Sequence, residues 1–399
     1  MRLPGKDLIA FAVIGTVIVG TMLSARPIPV ALPAVVVYEP VIDRPVPSST
    51  TDLGSLEDDI GSVLVASWRG AEITPAVRSL LDDGRVGGVL LFASNFSGTA
   101  DLKSLTDRLR TLASSACLDH PILVMLDEEG GQVTRVQASF APPSELVAGA
   151  GGAEHVRALE HTSAIGLRQL GVGLNLAPVA DVRTNPGDQV IGDRSFGSNP
   201  GVVSPLVRAA VQGLHDGGVG ATLKHFPGLG GAAGDPHVAI PTDLESEAQW
   251  ERVQMPAFQA GISAGADAVM TTAVYVPGLG GGSTPAMFSA PVIDRLRTQL
   301  GFGGVIISDA LNMGGVGARY SLPEATVLAL AAGNDLVLLG NGDPGYEAEA
   351  MAAVRSAVVS ERLDRAKLHQ SAVRVNHLRD KWGQRFVHCR SLKTPWLPV

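Results

Sequence analysis

From about residue 60 onward the chain repeats one pattern: an uninterrupted apolar run, a loop of Gly, Pro, Asp or Asn, then an amphipathic stretch of about ten to sixteen residues. The apolar runs lie at 63–67 (VLVAS), 86–92 (VGGVLLF), 121–127 (PILVMLD), 172–181 (VGLNLAPVAD), 219–226 (VGATLKHF), 267–274 (DAVMTTAV), 302–311 (FGGVIISDAL) and 335–340 (DLVLLG). A strand that is apolar throughout must be covered on both faces, as in a parallel sheet flanked by helices. Eight such units predict an α/β fold of the (β/α)8, TIM-type barrel kind over residues 53–360, with a doubly wound open sheet as the alternative.

The N-terminus follows a different rule. Arg2 and Lys6 precede an uncharged, Ile-, Val-, Ala- and Gly-rich stretch from Leu8 to Ala25, which reads as a signal peptide or short membrane anchor over residues 1–25. Positive residues stay inside, so the expected location is exported: extracytoplasmic, membrane-anchored or secreted to the cell wall. No small-x-small cleavage site stands out, since Leu23 precedes Ser24 and Ala25. Residues 26–52, with Pro27, Pro29, Pro33, Pro40, Pro45 and Pro47, read as an extended spacer.

The chain has 399 residues, 45% hydrophobic and 18% charged, a composition that excludes a disordered chain. The formal charge of -8 argues against nucleic-acid binding. Residues 1–50 carry four basic and three acidic side chains and residues 361–399 carry nine and three, which leaves -15 for the stretch between. The terminal segment 361–399 is read as a basic helix and tail. Its Arg374, Arg379, Lys381, Arg385, Arg390 and Lys393 suit either a solvated face or contact with an anionic envelope, the former being favoured. The only cysteines, Cys117 and Cys389, could pair in an oxidising compartment.

Polar residues interrupt the apolar pattern at telling places. Asp127, Asp181, Lys224, His225 and Asp309 sit at or near the C-terminal ends of the expected strands, the face of a barrel that carries chemistry. Any one of them could merely cap a loop; five converging on one mouth point to a site. The stretch KHFPGLGGAAGDPHVAIP (Lys224–Pro241) is rich in glycine, but Asp235 and Pro236 stand where a nucleotide-binding helix would open. It reads better as a loop delivering His237, whose basicity the carboxylate of Asp235 raises. The nine histidines form no metal-binding cluster, so no metal is expected. In VIISDALNMGG, Asp309 follows a strand directly; in VMLDEEGGQVTR, two glycines allow a turn that brings Arg135 back toward Asp127; IGDRSFG places Arg194 in the loop after the fourth strand. Carboxylates and arginines together suit sugar hydroxyls, which donate and accept at once.

Together, KHFPG followed by Asp-x-His, DEEGG with a later Arg, GDRSFG, NLAPVADV and ISDAL resemble glycoside hydrolase family 3, in the branch of single-domain bacterial β-N-acetylglucosaminidases (β-N-acetylhexosaminidases), from about residue 58 to 360. The resemblance implies a barrel, retaining hydrolysis of β-linked sugars and no cofactor. It makes Asp309 the nucleophile and His237, paired with Asp235, the acid/base, in place of the second carboxylate of most retaining enzymes. Asp127, Arg135, Arg194, Lys224 and His225 match positions that hold the non-reducing-end sugar. The implied partner is a carbohydrate, from glycans or peptidoglycan fragments, handled by a monomer.

Several positions depart from the branch pattern. PGHGD reads PGLGG, so Leu229 and Gly231 replace a His and an Asp; Pro236 replaces a Ser; Ala273 stands where a His is usual; Ala310 follows Asp309 in place of a second Asp. These changes are expected to remove polar support around the loop. The surviving nucleophile and dyad favour an active exo-acting enzyme. The alternatives are an inactive or weakly active wall-glycan-binding homologue, or a family 3 β-glucosidase or phosphorylase.

Overall fold

All eight apolar runs become strands, and all eight strands lie parallel in one sheet. The computed structural model describes residues 53–116, 118–188, 190–340 and 345–384. The segment 1–25, the spacer 26–52, both cysteines and Arg385, Arg390 and Lys393 lie outside the described residues. By contacts the chain divides into Met1–Arg44 and Pro45–Val399, and everything described belongs to the second unit. No helix among the described residues is long and apolar enough to cross a membrane.

The first half runs α1 (Leu56–Ser62), β1 (Leu64–Ala66), α2 (Pro75–Asp82), β2 (Gly88–Leu90), α3 (Thr99–Ser115), β3 (Val124–Leu126), α4 (Glu145–Gly149), α5 (Ala153–Gln169), β4 (Leu174–Asn175), α6 (Pro200–Asp216) and β5 (Gly220–Phe226). The second runs α7 (Glu247–Val253), α8 (Met255–Ser263), β6 (Ala268–Thr271), α9 (Ala290–Thr298), β7 (Val305–Ser308), α10 (Gly314–Gly317), α11 (Leu322–Ala332), β8 (Val337–Leu338), α12 (Tyr346–Val359) and α13 (Arg365–Trp382). Each strand from β1 to β7 pairs with the next in sequence, and β8 returns to β1 through Leu64↔Val337 and Val65↔Leu338. A single bridge, Ile307↔Leu336, links β7 to β8 and completes the ring. This is the (β/α)8 barrel expected from the repeat.

Strand alternation sorts the apolar side chains into two cores. Val65, Met125, Met270 and Ile307 join a cluster inside the barrel. Their neighbours Ala66, Leu126, Val269 and Ile306 pack outward in the cluster shared with the helices. Helix starts are fixed locally: Thr74, Ser246, Ser321 and Asp364 each accept a hydrogen bond from a first-turn backbone N–H.

The basic terminal helix is not solvated along its length. Val375, Leu378 and Trp382 of α13 belong to the inner-barrel cluster. The Trp382 carbonyl and ring lie so close to Gly173 and Gly220, which precede β4 and open β5, that a Cβ at either would fall 2.5 Å or 2.8 Å from them. Arg379 donates to the Pro121 carbonyl ahead of β3, Lys381 meets Asp267 ahead of β6 at 2.6 Å, and Arg374 meets Asp335 ahead of β8 at 2.8 Å. All of these partners stand at the N-terminal ends of strands, so α13 seals the floor of the barrel. Half of the cations read as a solvated face are spent on that seal.

Candidate active site

The opposite, C-terminal end of the strands carries the chemistry. Lys224 on β5 is 2% exposed, a burial that a lysine tolerates only with carboxylate partners. It has two: Asp127 Oδ1 at 2.6 Å and Glu129 Oε1 at 2.5 Å, both from the turn after β3. Arg194, on a short turn after β4, closes a fork on Glu129 through Nε (2.7 Å) and Nη2 (2.9 Å). Its Nη2 also lies 3.2 Å from His225 Nε2. The other nitrogen of His225, Nδ1, lies 2.7 Å from Asp181 Oδ2, and Asp181 also accepts the backbone N–H groups of His225 and Leu229. Arg135 stands 3.9 Å from Asp127 Oδ2. Asp127, Arg135, Arg194, Lys224 and His225 are thus brought together in one network across β3, β4 and β5.

Glu129 is the hub of this network, yet the sequence reading passed over it. Burial alone would raise its carboxyl; Lys224 and Arg194 overcome that and hold it at about 2. The signal was present as three consecutive acids after a buried strand, only the first of which was singled out. Asp181, noted at its strand end, orients His225.

Asp309 stands apart from the cations, just past β7. One carboxylate oxygen accepts from Thr272 Oγ1 and the other from the Ala310 backbone N–H, both at 2.8 Å. Asp309 itself is half-buried. Asp235 and His237 form their pair, with Nδ1 of His237 2.8 Å from Asp235 Oδ1, and the same oxygen also accepts the His237 N–H. Burial would raise the Asp235 carboxyl, but bonds from His237 hold it below its usual range. Both side chains are largely open to solvent, 65% for His237 and 42% for Asp235. No group of three His, Cys, Asp or Glu among the described residues could hold a metal ion.

The loop that carries the dyad leans on the segment following Asp309. Gly315 N–H donates to the Pro236 carbonyl at 3.1 Å, and a Cβ on Gly314 would fall 2.2 Å from the His237 carbonyl oxygen. Only glycine permits this approach. Gly314→Ala is therefore expected to push the dyad loop outward; if His237 is the acid/base that its resemblance implies, kcat should fall by about 10²-fold, the cost of a roughly 1 Å misplacement, with KM little changed in steady-state kinetics.

The departures from the branch pattern exchange polar support for packing. Leu229 and Ala273 are buried in apolar clusters. At Gly231 a Cβ would meet Asp243 Oδ2 at 2.6 Å and Glu245 Oε1 at 3.0 Å, so two other carboxylates occupy the room an aspartate would need. Burial pushes Asp243 up to about 6. The loop is tied instead through backbone: Thr184 and Asn185 N–H groups both donate to the Gly230 carbonyl at 3.0 Å, and Asn185 Nδ2 to that of Ala232.

Behind the mouth lie further buried carboxyls. Burial pushes Glu128 up to about 7, Glu160 on α5 up to about 8, and Glu145 on α4 well above its usual range. Glu160 Oε2 is buried with no hydrogen-bond partner. Because its folded value exceeds the ordinary 4.5, its stabilising contribution is full below about 4.5 and is lost as pH rises through about 8. Glu160→Gln should remove that loss, flattening the fall of unfolding free energy between pH 5 and 8 by an amount on the order of 4 kcal/mol at the upper end. Thermal melts across that range are the check.

A model of the glycosyl hydrolase family 3 N terminal domain matches residues 55–378. The chain belongs to glycoside hydrolase family 3. This family 3 chain is 37% identical over 290 residues to a beta-hexosaminidase of Xylella fastidiosa (strain M23), spanning 69% of this chain and 83% of that one. To a beta-hexosaminidase of Methylobacillus flagellatus it is 35% identical over 311 residues, spanning 75% and 86%. Among solved structures, a family 3 beta-N-acetylglucosaminidase from Paenibacillus sp. superposes with TM-score 0.79 at 32% identity, covering 84% of this chain but 65% of that one. A beta-N-acetylhexosaminidase from Beutenbergia cavernae superposes with TM-score 0.75 at 31% identity, covering 82% and 98%. As a family 3 member the protein is a glycoside hydrolase, and its site is built for a carbohydrate.

Proposed function

We propose that this family 3 enzyme is a retaining exo-β-N-acetylhexosaminidase that removes terminal β-linked N-acetylglucosamine from glycans or peptidoglycan fragments. The observation that carries the reading is the division of the mouth. A half-buried carboxylate just past β7 makes no ion pair among the described residues, while the cations of the mouth are locked into a network on β3–β5 and a His–Asp pair stands on an exposed loop packed against the segment that follows it. The names of the relatives support the sugar.

The roles follow from the groups. Asp127, Arg135, Arg194, Lys224 and His225 would hold the hydroxyls of the terminal sugar, the buried network fixing their directions before substrate arrives. Asp309 would attack the anomeric carbon, forming a glycosyl–carboxylate bond as the glycosidic C–O bond breaks and the leaving oxygen takes a proton from His237. His237, neutral after that transfer, would accept a proton from the water that displaces Asp309, restoring both groups. Thr272 and the Ala310 N–H orient the carboxylate and share its charge in the resting enzyme. Asp235 would hold the His237 ring in place through its contact with Nδ1.

Hydrolysis of a chromogenic β-N-acetylglucosaminide by the purified protein tests this directly. Release of the chromophore with retained configuration in the first sugar product is expected; no release at any pH sinks the reading. Acceleration by added phosphate would favour a phosphorylase. Binding of peptidoglycan fragments without turnover would favour a wall-binding protein. The site of action proposed is outside the cytoplasm, supported by the charged start and apolar stretch Leu8–Ala25.

A further inference from the structure

The three acids after β3 divide their work, and the middle one holds no cation. Glu128 is fully buried. Its backbone is clamped to the end of β4, its N–H donating to Asn175 Oδ1 at 2.9 Å and its carbonyl accepting from Asn175 Nδ2 at 2.8 Å. Its side chain reaches forward across the turn, where Oε2 accepts two successive backbone N–H groups, those of Arg135 (2.8 Å) and Val136 (2.9 Å). The near end of the turn has its own ties, Glu129 N–H to the Val133 carbonyl and Val133 N–H to that of Gly130. Glu128 ties the far end, where Arg135 stands.

The second oxygen, Oε1, is buried and has no hydrogen-bond partner. Charged groups act on it from three sides: Asp127 from its own segment, Arg135 from the turn, and Glu160 from α5. A carboxylate anion here would place charge on an oxygen without a donor, between two other carboxyls and away from water. A neutral acid leaves only an unpaired hydroxyl, and Oε2 still accepts both N–H groups.

We propose that Glu128 is a positioning residue, protonated in the working enzyme, which fixes the 130–136 turn so that Arg135 faces the sugar, and that its ionisation frees the turn and weakens substrate hold. The inference rests on the glycosidase reading for its kinetic consequence. Ionised, Glu128 gains by admitting water or by drawing the Arg135 guanidinium inward, whose Nε is also buried without a partner. Either response withdraws Arg135 from the substrate. Burial pushes the Glu128 carboxyl up to about 7, so the change is expected around neutral pH.

The test compares wild type with Glu128→Gln and Glu128→Ala on a chromogenic β-N-acetylglucosaminide from pH 5.5 to 8.5. Glutamine reproduces the neutral acid, with its carbonyl in place of Oε2 and an amide that cannot ionise. Wild-type KM is expected to rise severalfold across this range with kcat changing less. Glu128→Gln should show the low-pH KM throughout, and Glu128→Ala should raise KM about tenfold at every pH. An unchanged pH dependence of KM in Glu128→Gln overturns the proposal. Hydrogen exchange at the Arg135 and Val136 amides, corrected for intrinsic rates, gives a readout independent of turnover. Protection should fall above neutrality in wild type and hold in Glu128→Gln. If the wild type cleaves no substrate, the glycosidase reading fails, and equal exchange behaviour in the two proteins would then separately overturn the positioning role.

Discussion

Asp309→Ala is expected to lower kcat by about 10⁴-fold or more, since the proposed mechanism assigns the covalent intermediate to this carboxylate. The network on β3–β5 proposed to hold the sugar shares no hydrogen bond with Asp309, whose carboxylate partners are Thr272 and Ala310. KM should therefore stay within a few-fold, and Tm should move little, because the lost bonds lie at a half-buried surface. Azide offers a sharper check: it can enter the space of the missing carboxylate and bond to the anomeric carbon as the aglycone leaves. Added azide should restore part of the turnover and give an α-linked glycosyl azide. Full activity in the alanine variant would remove Asp309 from the role.

The largest expected effect on stability is at Glu129. Replacing it with alanine strands Lys224 and Arg194, two cations brought close together beneath the mouth; Lys224 would keep only Asp127. Breaking one partner of a buried ion pair typically costs about 3–5 kcal/mol. Glu129→Ala should unfold at markedly lower denaturant concentration and lose activity even where it remains folded. The folded-state carboxyl is held at about 2, below its ordinary 4.5. Its contribution is therefore present above about 4.5 and lost as pH falls toward 2. Wild type should lose stability in that acid window, and the variant should lose less, since it has already forfeited the contribution. Equal acid sensitivity of the two proteins would contradict the assignment.

The barrel was legible because its strands are buried on both faces and so write continuous apolar runs, even where, as at β4 and β8, the ladder itself spans two residues. The five residues that meet in one network, and Asp309, could be singled out because a charge at or near the end of such a run has few other reasons to be there. Glu128 and Glu129 were hidden by the same turn that revealed Asp127: adjacent acids look alike in a sequence, and only the fold shows that one faces two cations and another faces backbone. The role of α13 was hidden for a related reason. Arg374, Arg379 and Lys381 look like a solvated basic face until Asp335, Pro121 and Asp267 are found beneath them. Charge pattern reveals the need for partners and not their place.

The closure of the barrel also sets an order of events during synthesis. β1 is the first of the described strands to be made, yet one of its two ladder partners is β8, and the floor beneath both waits for α13. Until those late segments appear, the nascent chain carries an unpaired strand edge and an uncovered apolar interior, contacts that are slow to form because they span nearly the whole domain. A chain whose first described strand is closed by its last segments completes its core only once α13 has been made, so loss of α13 should leave the barrel open at its floor.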